Sequence, residues 1–179
     1  LWHWANGEIC TIIKDITTKN ASTSELYDFF KKEESRFRNA AIQQFQQRQM
    51  YDDTTLNLVK SALPSLSIVS AKLAIPYFKH APNDSFFVIM NDLFPQVNKQ
   101  QRLLFLKALL DEEEVVSETL LQQFLVDLPQ LNSYQEVNLM LDFLQEKEIQ
   151  DARLNEALLP YLQEKNFIIA RRVFWFLNE

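Results

Sequence analysis

Few side chains in this 179-residue chain could act as catalysts or metal ligands. Its two histidines, His3 and His80, lie far apart, and neither sits at ligand spacing to the single cysteine, Cys10, so a zinc site has little to work with. Gly7 is the sole glycine. A P-loop or a dinucleotide-binding turn needs several glycines to bring backbone against phosphate, so neither can be built here. The densest acidic run, Asp111-Glu112-Glu113-Glu114, lacks the alternating ligands and the glycine of a calcium loop. Acidic residues just ahead of a helix N-terminus are accounted for by the helix dipole. Tyr77 and Tyr161 each directly follow a proline and read as packing residues. The chain is therefore expected to use no catalytic residue, cofactor or metal.

One constellation carries recognition chemistry instead. At about 100° per residue, Ile169, Val173, Phe176 and Leu177 share one face of the last helix, while Ile168, Arg171, Arg172 and Trp175 fall on the other side. An indole offers rigid apolar area, and a guanidinium offers directed hydrogen bonds and stacking. Trp and Arg are also the residue types most often found as interface hot spots. Ile168, Arg171, Arg172 and Trp175 are thus the candidate partner-binding residues. The competing reading packs this face on the preceding helices.

Composition bounds the fold that must position them. Hydrophobic residues make up 47% of the chain, and a single glycine leaves few sites for the tight turns of a β-rich fold, so an all-α domain is expected. The net charge is −6 and is uneven: residues 1–70 carry eight Lys or Arg and eight Asp or Glu, whereas residues 71–179 carry ten against sixteen. That acidic half argues against a nucleic-acid groove, which concentrates Lys and Arg. No apolar run approaches the roughly 18 residues of a membrane span. The chain opens Leu1-Trp2-His3-Trp4 rather than on methionine, so a piece of a longer protein is one expectation and a removed membrane anchor ahead of the two tryptophans is another. One cysteine makes no internal disulfide, and a cytoplasmic setting is favoured over an extracytoplasmic one.

Residues 8–18 predict a short helix. Ser22 with Glu25 has the spacing of a capping box, and Leu26, Phe30, Phe37, Ala41 and Phe45 then recur at helical period, which predicts one long N-terminal amphipathic helix of about seven turns. Asp52, Asn98, Ser133, Asp151 and Asn166 mark further N-caps, Pro64 closes a segment, and residues 117–128 predict another helix. Apolar and polar runs recur around prolines: Ile75-Pro76-Tyr77-Phe78, Leu128-Pro129-Gln130-Leu131 and Leu158-Leu159-Pro160-Tyr161 each lead through a polar turn into an apolar run. Each such hairpin leaves an apolar face that only another can cover. The predicted organisation is a single all-helical domain, with an N-terminal helical segment over 1–53 and helical-hairpin repeats over 54–179.

The run Leu158-Leu159-Pro160-Tyr161-Leu162, a polar turn, and Ala170-Arg171-Arg172 inside an apolar second helix resembles the HEAT repeat, over about residues 65–179. The middle copy has no arginine at the matching place, and an aspartate in the turn stands only at Asp84. The resemblance implies antiparallel hairpins stacked as a short α-solenoid, and a scaffold or adaptor that binds a protein partner without catalysis. Two alternatives accompany it: an extracytoplasmic or membrane-tethered partner-binding domain, and a HEAT-like nucleic-acid-processing enzyme, which the acidic repeat half disfavours.

Overall fold

The computed structural model of the chain describes residues 16–82, 85–111, 122, 126 and 131–178. The opening Trp2 and Trp4, His3, Cys10, most of the short helix predicted over 8–18, Glu112 to Glu114 and nearly all of the helix predicted over 117–128 lie outside them. Every regular element among the described residues is helical. The helices whose full extent is described are α1 (Thr23–Lys31), α2 (Ser35–Gln47), α3 (Asp53–Ala62), α4 (Ile68–Lys79), α5 (Ser85–Leu93), α6 (Lys99–Leu110), α7 (Tyr134–Glu146), α8 (Ala152–Leu158) and α9 (Phe167–Asn178), and residues 16–20 are helical as well. Short 3-10 turns follow α3 at Leu63–Ser65 and α8 at Leu159–Gln163. The chain gathers into two compact units, Leu1–Asn83 and Asp84–Glu179.

Local chemistry sets most helix starts. Ser22 accepts from the Glu25 amide while the Glu25 carboxylate takes the Ser22 amide at 2.7 Å, and Asn98 and Gln101 exchange the same pair of bonds at 3.1 Å each. Asp52 accepts from the Thr54 and Thr55 amides, Asp151 from that of Arg153, and Asn166 from that of Ile168. The Thr55 hydroxyl bond holds the Asp52 carboxyl below the usual carboxylate range, and the Ser22 amide does the same for Glu25.

In the first unit the long N-terminal helix is corrected to two. Lys32 is extended at φ −65° and ψ 144°, and the chain reverses between α1 and α2. Arg38, from α2, donates to the carbonyls of Phe30 at 3.2 Å and Lys32 at 3.0 Å, which satisfies acceptors that a continuing helix would have bonded. Reversal lets the two apolar faces cover each other: Phe29 meets Phe37 with ring centroids 5.8 Å apart, and Phe30 meets Phe45 at 5.9 Å. Pairing of late α1 residues with early α2 residues, and of Tyr27 with Phe45, makes the two helices antiparallel. Residues 68–79, assigned by sequence to the segment after 53, pack here on α2. The buried Tyr77 hydroxyl donates to the Met50 carbonyl at 2.6 Å, and the Tyr77 ring stacks on Tyr51 at 5.3 Å. His80 Nδ1 lies 2.7 Å from the Pro76 carbonyl and closes α4 as a helix-end residue.

The second unit is ordered around α6, α7 and α9, with α7 packed against both others. Arg102, near the start of α6, donates to Glu136 Oε1, near the start of α7, at 2.7 Å. The two N-terminal ends therefore lie together. Glu136 is fully buried, and its other oxygen accepts from the Ser133 hydroxyl at 2.6 Å. The C-terminal ends of α7 and α9 share a cleft of about 670 Å³, lined on one side by Leu144, Gln145 and Ile149 and on the other by Phe176 and Leu177. All three helices thus run in one direction.

Candidate interaction surface

The start of α9 is fixed from behind. Tyr161, in the 3-10 turn ahead of it, is buried and donates its hydroxyl to the Leu131 carbonyl at 2.8 Å. Burial pushes its phenol up to about 12. Within α9, Ile169 and Val173 are buried and Phe176 and Leu177 half-buried, so the inward face is the one the helical period assigns. The outward face is apolar as well. Phe167 is 72% exposed, Ile168 58%, Phe174 54% and Trp175 53%. Residues three, four and seven apart on a helix are neighbours, so these side chains form one continuous strip along α9. Elsewhere, exposed residues such as Val69 on α4 and Val88 on α5 stand singly on their helices, which is ordinary for a protein surface.

The four sequence candidates separate. Ile168, Arg171 and Trp175 lie on the outward strip, where the Arg171 guanidinium carbon sits 4.8 Å from the centroid of the Trp175 ring. Stacking of this kind holds the guanidinium flat while its N–H edge stays available. Among the described residues no carboxylate pairs with Arg171. Arg172 has turned the other way. Its Nε donates to Asn138 Oδ1 at 3.0 Å, and its Nη2 to Asp142 Oδ1 at 2.9 Å and Gln145 Oε1 at 3.4 Å, so it ties α9 to α7. Phe167 and Phe174 were absent from the sequence candidates, although their spacing from Arg171, four residues before and three after, marks the same strip.

Comparison of the chain with protein-family models, with curated proteins and with solved structures finds no match in any of the three. The surface must be read from its own chemistry. Among the described residues no group of three His, Cys, Asp or Glu side chains is placed to hold a metal ion. No described helix is long and apolar enough to cross a membrane. The α9 strip offers a flat aromatic and aliphatic area around one cation, a surface chemistry suited to protein contact.

Proposed function

We propose that the chain is a non-enzymatic protein-interaction module, a scaffold or adaptor built on a short HEAT-like α-solenoid, whose contact surface is the outward face of α9. The observation that carries this reading is the strip of Phe167, Ile168, Phe174 and Trp175 left exposed with Arg171 stacked at its centre. A domain that exposes contiguous apolar surface of this kind on one helix commonly uses it for association. Support for the solenoid comes from the intervals: α2, α4, α6, α7 and α9 begin at Ser35, Ile68, Lys99, Tyr134 and Phe167, which are 33, 31, 35 and 33 residues apart. Near-constant spacing of like helices is the mark of stacked hairpins.

Co-purification from the native source tests the proposal. Truncation of a hot-spot tryptophan commonly costs 2 kcal/mol or more, about thirtyfold in affinity, so Trp175→Ala should lose its bound protein while Val69→Ala, on an isolated exposed side chain, keeps it. Equal recovery from the two variants would refute the assignment.

A further inference from the structure

We infer that residues 16–21 form a strap that opens independently of α1 to α4, and that Arg48, at the end of α2, is the latch that closes it. The base of the latch is rigid. Just past α2 the Gln49 amide donates to the Gln46 carbonyl at 3.1 Å and the Met50 amide to that of Phe45 at 2.9 Å, with Gln49 in the left-handed region at φ 54°. This pair of bonds is a Schellman ending, which satisfies late carbonyls of α2 within the turn itself. The Met50 carbonyl in turn accepts from the buried Tyr77 hydroxyl, so the turn is tied to α4 as well.

From this base the Arg48 side chain reaches back to the strap. Its Nη1 donates to the Ala21 carbonyl at 2.7 Å and its Nη2 to the carbonyls of Thr18 and Lys19 at 3.0 Å each, while Nε donates to Gln44 Oε1 at 3.3 Å. Thr18 and Lys19 stand in the last turn of the helical residues 16–20, where carbonyls have no amide ahead of them in their own helix. One guanidinium therefore closes that helix end. Apolar contact holds the strap only lightly: Thr18 and Ala21 are the buried residues among 16–21, and its one large apolar side chain, Ile16, is 56% exposed. By contrast α1 buries Leu26 and Phe30, and α2 buries Ile42 and Phe45. Helical backbone with little buried apolar area depends on its end bonds and opens at less than the free energy of global unfolding. Release of Arg48 thus frees the strap and leaves the aromatic core of the first unit in place.

Native-state hydrogen exchange and trypsin cleavage of the full chain, with Arg48→Ala beside the parent, test this. Hydrogen bonds to a charged donor are the stronger kind, so amides over residues 16–21 should exchange about tenfold faster or more in the variant. Cleavage after the exposed Lys19 should rise by a similar factor. Exchange at Leu26, Phe30, Ile42 and Phe45 should stay near that of the parent, as should the urea midpoint. Unchanged exchange and cleavage over residues 16–21 would overturn the latch, because other contacts would then hold the strap. Equal acceleration across α1 and α2, or loss of the cooperative urea transition, would overturn its independence.

Discussion

Arg171 and Arg172 are identical in type and adjacent in sequence, yet one holds the fold together and the other faces solvent. A helix turns about 100° between them, which carries Arg172 to the α7 amide and carboxylate groups and leaves Arg171 on Trp175. Arg172→Ala should therefore lower stability by about 1 kcal/mol, a modest figure because the Asp142 side chain is 41% exposed and its pairing is screened. Arg171→Ala should leave stability within about 0.5 kcal/mol. Urea denaturation of the two variants beside the parent checks both values. Sequence spacing placed the four candidates on one broad sector of α9; only the position of Asp142 in space separates Arg172 from the rest. A pH prediction belongs at this scale too. The folded-state phenol of Tyr161 titrates near 12, above its unfolded value of about 10, so the folded form holds its proton longer. Its contribution is complete below pH about 10 and is lost as the pH rises toward 12; Tyr161→Phe should make that alkaline decline shallower in a series of urea midpoints. Asp52 and Glu25 act in the opposite sense, with folded pKa values below the unfolded ones, and their contribution is present above pH about 4 and lost on further acidification.

At the scale of the element, what could be read in sequence depended on how far the deciding contact lies along the chain. N-caps at Ser22, Asp52, Asn98, Ser133, Asp151 and Asn166 were legible because each cap and the amide it serves are two or three residues apart. The reversal at Lys32 was not, because it carries neither glycine nor proline and is fixed by Arg38 and by aromatic contacts formed after the chain folds back. Pro76 lies inside α4, whereas Pro160 and Pro64 open the 3-10 turns that follow α8 and α3, so Leu63-Pro64 is the structural counterpart of Leu159-Pro160 and Ile75-Pro76 is not. Apolar residues flank all three prolines, and only the helix boundaries distinguish them. The strongest stability prediction concerns Glu136, the buried acceptor that joins the starts of α6 and α7. Glu136→Ala leaves the 13% exposed Arg102 side chain without its carboxylate and should cost about 3–5 kcal/mol, read as a lowered melting temperature.

For the whole molecule, composition alone indicated the all-α class, since high apolar content and one glycine leave little else, and the described residues are helical throughout their regular structure. Sequence periodicity indicated recurring helices, and the chain gathers into Leu1–Asn83 and Asp84–Glu179, with α4 packed on α2 in the first. In the proposed reading the other helices support α9, and α9 meets the partner. Hydrogen–deuterium exchange compares these roles directly, measured on the protein purified natively with its bound partner and again after separation. Slower exchange in the bound form across residues 167–178, with α2 and α4 unchanged, is the predicted result. Unchanged exchange in α9 together with slowing in another segment would contradict the account.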